Sequence, residues 1–285
     1  MHKGSIFWGF VLVLLGGLLL AQNMGWIPPT VNVWSIFWSL ALVAVGVSLL
    51  LRNTRARTTM VKTDTDGAPA MAPAVTHPGD AVRVPLGSAR RARVRFYYGA
   101  GDLRVDGNAA PDELFSGTFN GGLDHRESQD GDELIADLRV PSGNITLMSP
   151  FDDPHSLDWT VGLNPNIPLV LEMEVGASRN LLNLRDLQVK ELRLQTGASE
   201  SQVELPAYAG ETRVMLKSGM ASVELTIPEN VAASIRTRGG LASTEVDTLR
   251  FPQVEQNEYR SPDYEMAANR IDLDIETGLG SVRIR

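Results

Sequence analysis

The stretch Leu192-Arg-Leu194-Gln-Thr-Gly197-Ala-Ser-Glu-Ser-Gln-Val203 decides the fold, because the same twelve-residue pattern recurs around Gly99, Gly176, Gly219, Gly240 and Gly278. Five residues before each glycine stands Val94, Leu171, Leu192, Val214, Ile235 or Leu273, and three before it stands Phe96, Met173, Leu194, Leu216, Thr237 or Ile275. Between them lie mostly polar residues, Arg95, Glu172, Arg193, Arg236 and Asp274 among them. The period is two, as in a strand with one face in a core and one in water. Just after the glycine comes an apolar residue, then a small one, and further on a second apolar anchor at Val105, Leu182, Val203, Leu225, Val246 or Ile284. The unit is strand, glycine corner, strand.

Gly176, Gly197, Gly219 and Gly240 follow one another at intervals of about 21 to 22 residues, the mark of a stacked repeat. Two short strands cannot bury an apolar face alone, so each copy must lie on the next. The pattern predicts a β-solenoid in which Leu194 and Leu216 share one interior column and Val203, Leu225 and Val246 another. Glycine suits a corner that turns sharply or needs a positive φ. A β-sandwich of hairpins is the rival, though hairpins seldom keep one motif at so steady a spacing. A leucine-rich repeat would need helical segments between copies, and none reads as one.

Outward from the repeats, residues 82–167 contain one copy, around Gly99, and then lose the period. Segments 115–119, 133–140 and 144–148 alternate like strands, and turn signals at Asn120-Gly-Gly, Asp130-Gly-Asp and Pro141-Ser-Gly divide them. This region is expected to cap the end of a repeat domain spanning 168–285 and to cover an edge on which another chain could add. A second irregular stretch, 251–266, separates the copies at Gly240 and Gly278.

At the other end of the chain no charged side chain occurs between Lys3 and Arg52, and Gln22-Asn-Met-Gly-Trp-Ile-Pro-Pro-Thr30 divides that run. Domain 1–52 therefore reads as a transmembrane hairpin with helices over 5–21 and 33–51, near the lower length limit for crossing a hydrocarbon core. Trp8, Trp26, Trp34 and Trp38 fall where tryptophan gathers at membrane interfaces. Gly9, Gly16 and Gly17 on the first span and Ser35, Ser39 and Gly46 on the second would let the two backbones approach closely. Leu19-Leu-Ala21 lacks the small residue a signal-peptide cut requires. Lys3, Arg52, Arg55 and Arg57 flank an uncharged loop, so the positive-inside rule places both ends, and the β domain with them, in the cytoplasm of a two-pass plasma-membrane protein. Residues 53–81, interrupted by Pro69, Pro73 and Pro78, read as a flexible linker.

The 285 residues include no cysteine, which excludes disulfides and thiolate metal sites, and the formal net charge is −8. The first 82 residues hold five basic and three acidic side chains, so the negative balance belongs to the β region. A surface of that sign repels a phosphate backbone and argues against a nucleic-acid partner.

Two regions resemble known families. Phe7-Trp8-Gly9, Gly16-Gly17, Asn23-Met-Gly-Trp26 and the Trp34 to Trp38 segment resemble the LiaI/LiaF-like transmembrane hairpin. Tyr98-Gly-Ala-Gly-Asp-Leu103, Ser116-Gly-Thr-Phe119, Trp159, Pro168-Leu-Val-Leu-Glu-Met, Gly176-Ala-Ser-Arg-Asn and Leu194-Gln-Thr-Gly-Ala-Ser-Glu200 resemble the toast-rack β-repeat domains joined to such hairpins. The resemblance implies a membrane-anchored regulator of bacterial cell-envelope stress signalling that restrains a sensor kinase, so its partners would be the lipid bilayer and a membrane kinase or another envelope protein. Related β-repeat proteins carry adhesin names, which implies a structural or adhesive surface protein as the alternative. The single hairpin departs from the usual LiaF-like outline.

No catalytic, cofactor or metal site is expected. His2, His77, His125 and His155 stand in the flank, the linker and the cap, away from any pattern of nucleophile and base. The densest polar cluster, Asp152, Asp153, His155 and Asp158, could in principle offer ligands to a metal but reads as an acidic turn before a strand. Glu172, Glu174, Glu200, Glu204, Glu224 and Glu245 lie in or near repeat positions, where a glycosidase-like pair could be displayed, but carboxylates on strand exteriors are ordinarily solvated.

Overall fold

In a computed structural model of the protein, residues 74–76, 81–141 and 157–285 are described. The expected transmembrane hairpin with Trp8, Trp26, Trp34 and Trp38, most of the expected linker, the expected strand over 144–148, and Asp152, Asp153 and His155 lie outside them. Contacts divide the chain into units Met1–Gly67 and Ala68–Arg285, and the second holds everything below.

Among the described residues, fifteen strands follow in chain order: β1 (Ala74–Thr76), β2 (Ala81–Pro85), β3 (Arg91–Asp106), β4 (Glu113–Phe119), β5 (Leu123–Asp130), β6 (Glu133–Arg139), β7 (Trp159–Leu163), β8 (Pro168–Asn183), β9 (Gln188–Thr196), β10 (Glu200–Glu204), β11 (Glu211–Thr226), β12 (Ala232–Val246), β13 (Gln253–Glu255), β14 (Glu258–Arg260) and β15 (Arg270–Ile284). Each repeat copy is one long strand, or the pair β9 and β10, carrying its glycine at the middle. The six copies pair parallel, like position on like position. Val94 stands beside Leu171, Leu171 beside Leu192, and Leu192 beside Val214. This parallel register excludes the hairpin sandwich for the repeats, since hairpins pair antiparallel.

One expectation needs correction. The rungs stack as β3, β8, β9 with β10, β11, β15 and then β12, so the last copy is inserted between the two before it. Leu225 lies between Val203 and Ile284, and Val246 meets Ile284 instead of Leu225. The ladder continues past the strand ends in the same order: the Ile227 N–H donates to the Arg285 carbonyl at 2.8 Å. The domain is therefore solenoid-like in its stacking but not sequential in its winding.

Inward positions make a single core. Phe96, Leu171, Leu194, Leu216, Ile275 and their column neighbours are buried, and so are Leu184, Leu187, Leu205, Ile227 and Val231 from the connections between rungs. At the N-terminal end, β6 pairs with the first half of β3 and β7 with its second half, so both halves of that rung are covered. The covering layer is aromatic. Trp159 is fully buried, with its ring centroid 5.1 Å from those of Tyr98 and Phe119, and its indole N–H donates to the Asn120 carbonyl at 3.2 Å. Tyr98 spends its hydroxyl on the Leu157 carbonyl at 2.6 Å, and burial followed by the nearby Asp158 and Asp102 carboxylates pushes its ionisation well above the ordinary value. Gly99 lies in β3, which is thus both a rung and the seat of the cap, so the 82–167 region supplies the first rung as well as the covering sheet. The irregular stretch 251–266 holds the antiparallel pair β13 and β14, and β14 lies against residues 234–236 of β12.

Candidate functional site

The glycine corners of the repeat line up from rung to rung as one continuous surface feature. Gly176, Gly197, Gly219, Gly278 and Gly240 stack in a file behind Gly99, and none of the six has a positive φ. What excludes a side chain is the neighbouring backbone. A Cβ on Gly219 would stand 3.2 Å from the Gly197 carbonyl oxygen, and one on Gly278 would stand 2.7 Å from that of Gly219. The Gly197 N–H donates to the Val175 carbonyl at 3.0 Å, and the Met220 N–H donates to the Gly197 carbonyl at 2.9 Å, which holds successive corners together.

Glycine after glycine leaves an open trough of about 500 Å³ over the corner, bordered by the outward side chains of Gln195, Lys217, Glu276 and Arg238. It continues toward Glu174 and Gly176. Immediately past the corner, Met220, Leu279 and Leu241 stand side by side in register, 63%, 44% and 85% exposed. Inside the corner, Thr196, Ser218 and Thr277 form a buried file of hydroxyls, with no hydrogen-bond partner among the described residues.

Outward carboxylates are matched by arginines across the rungs. Glu172 accepts from Arg93 at 2.8 Å, Arg95 at 3.0 Å and Arg193 at 3.1 Å. Burial alone would raise the Glu172 carboxyl, but the Arg93 and Arg95 hydrogen bonds outweigh it and hold the group below its ordinary value. Glu204 pairs with Arg185 at 2.8 Å, Glu224 with Arg285 at 3.0 Å, and Glu245 with Arg283 at 2.8 Å. Glu172, Glu204, Glu224 and Glu245 are thus engaged by arginines, while Glu174 and Glu200 stand exposed on the outer face, Glu200 with Arg179 at 3.8 Å. Among the described residues no group of His, Asp and Glu is arranged to hold a metal. Asp158, from the acidic cluster, accepts the Asp102 backbone N–H at 3.1 Å, which gives it a role in building the cap. His125 lies in β5 beside Glu127 at 3.3 Å, with its ring edge-on to Phe115.

With this geometry the comparisons are decisive for the family. Residues 73–226, more than half of the chain, match the family described as the N-terminal domain of toast_rack. The chain belongs to the toast-rack family. Ahead of the toast-rack domain, residues 7–69 match the LiaF transmembrane domain, so the protein is membrane-anchored through its N-terminal region. No curated protein matches the chain. The crystal structure of a candidate cell adhesion protein from Clostridium sporogenes shares the toast-rack fold, with a TM-score of 0.65 at 19% identity over 75% of this chain and 99% of that one. A candidate adhesin from Bacteroides fragilis aligns over 76% of this chain and 99% of its own at 10% identity, with a TM-score of only 0.25.

Proposed function

We propose that this protein is a non-enzymatic, membrane-anchored regulator or scaffold in bacterial cell-envelope stress signalling, working through protein contacts of its toast-rack domain. The observation that carries the reading is the order of the two matches, a LiaF transmembrane domain followed directly by a toast-rack domain. A rigid rack of parallel rungs suits the role: its outer face offers backbone trough, apolar row and fixed charges over several rungs, without needing a reactive centre. The partner is a membrane sensor kinase or another envelope protein, and the β domain lies on the cytoplasmic side, as the basic flanks Lys3, Arg52, Arg55 and Arg57 direct.

Deleting the gene and recording envelope-stress transcripts under cell-wall antibiotics tests the proposal. An altered basal or induced response supports it, and an unchanged response refutes it. The adhesin-like reading, favoured by the name of the Clostridium protein that shares the fold, needs an outward-facing domain. Protease added to intact cells separates the two: a spared β domain fits the regulator, and its rapid loss fits the adhesin.

A further inference from the structure

The two ends of the rack are finished differently. At the N-terminal end both halves of the terminal rung carry a covering strand, whereas at the C-terminal end β14 covers only residues 234–236 of β12. Among the described residues, 239–246 pair with β15 on one side and with no strand on the other. The core is unfinished at the same place. Val223 and Val282, inward in the two preceding rungs, are 2% and 1% exposed, while Thr244 in the same column is exposed and Val246 is only partly buried. An uncovered strand edge is a template for another strand, and proteins usually blunt such edges with proline, lysine or a covering loop. The run Gly239-Gly-Leu-Ala-Ser-Thr-Glu-Val246 contains neither proline nor lysine.

We propose that this edge is a homodimerisation surface, where 241–247 of one copy pair antiparallel with 241–247 of a second about a two-fold axis through Thr244. Identical edge strands can close a sheet in this way without leaving a further edge to propagate, which is the isologous solution. The side chains favour this register. With Thr244 facing its own copy, Ala242 faces Val246 of the second copy on the inward side, extending both apolar columns across the junction. On the outward side Ser243 faces Glu245 and Leu241 faces Asp247, so no two like charges oppose one another. Threonine opposite threonine is itself a favourable cross-strand pair. A contact of about seven residues per copy is small beside a standard interface, but copies held in one membrane meet at high effective concentration.

The absence of cysteine makes the test clean. The full chain is placed in membranes with a single Thr244→Cys substitution and treated with a mild oxidant or a short bis-maleimide. Directly opposed strand residues have Cβ atoms about 4.5–5.5 Å apart, within reach of the bis-maleimide and, at the near end of that range, of a disulfide. Ser222→Cys, on the same half of the repeat but inside the stack in β11, is the control. The expected result is a product of twice the chain mass from Thr244→Cys, at least fivefold more than from Ser222→Cys. Adding Ser243→Glu should reduce that product severalfold by setting a carboxylate against Glu245 of the second copy, while the solvent-facing position leaves the monomer's melting temperature unchanged. Equal yields at the two positions, no dimer from Thr244→Cys, or a product with a different protein's mass would each overturn the proposal, the last by assigning the edge to another partner's strand.

Discussion

Replacing corner glycines by alanine separates two explanations of why the repeat has them. If the corner needed glycine for its backbone conformation, all six positions would suffer alike. If the stacked neighbour excludes the side chain, the cost depends on whether a rung lies in front. On Gly278 the added carbon would be 2.7 Å from the Gly219 carbonyl oxygen, roughly 0.7 Å inside ordinary contact, and its neighbour is backbone held by the ladder. On Gly99 the same carbon meets nothing within 4 Å. Overpacking of this kind costs about 1–3 kcal/mol, whereas a glycine replaced at an unstrained φ gains about 0.4–1 kcal/mol by restricting the unfolded chain. Gly278→Ala is thus expected to lose about 2 kcal/mol and Gly99→Ala to lose nothing. For a unit of this size 1 kcal/mol moves the melting temperature by about 2–4 °C, so the two variants should melt about 4–8 °C apart or more. Thermal melts and urea titrations of residues 68–285 carrying each change read the difference. Equal destabilisation by Gly99→Ala and Gly278→Ala would refute the stacking argument.

Two further outcomes follow from the packing. Leu216 is 1% exposed between Leu194 and Ile275, so Leu216→Asp buries an unpaired carboxylate and should cost about 3 kcal/mol or more, while Gln195→Ala on the outward face of the adjoining rung stays within about 0.5 kcal/mol; similar melts would mean that the faces are misassigned. Because the Glu172 carboxyl is held below its ordinary 4.5 in the folded protein, its contribution to stability is fully present above that pH and is lost as pH falls through the depressed value. Melting temperatures of the natural chain and of Glu172→Gln should therefore converge on acidification below pH 4.5, and a gap that stays constant or widens would show that the arginine cluster does not act through the ionised carboxylate.

The repeat was legible because parallel, in-register stacking brings each position against its own equivalents. Val94, Leu171, Leu192, Val214, Leu273 and Ile235 are apolar for one shared reason, and a period in the sequence becomes a column in space. The order of the rungs was not legible, because equivalent copies fit one another in any order and a parallel register does not name the neighbour. One signal was present. The copy around Gly240 carries Thr237 and Thr244 where the copy around Gly278 carries Ile275 and Val282, and polar residues at inward positions mark a terminal rung. The glycines were visible as a motif, yet their cause was not, since the obstructing carbonyl belongs to a residue from another copy. Arginine pairing of Glu172, Glu204, Glu224 and Glu245 was equally hidden, because each partner stands on a different rung or connection.

The central claim is that the toast-rack domain regulates by contact while held at the membrane. Its most direct test is complementation of the deletion strain with the full chain, with residues 68–285 alone, and with residues 1–67 alone, recording envelope-stress transcripts before and after a cell-wall antibiotic. The account predicts that only the full chain restores the parental response. Restoration by either part alone, equal to that of the full chain, would contradict it.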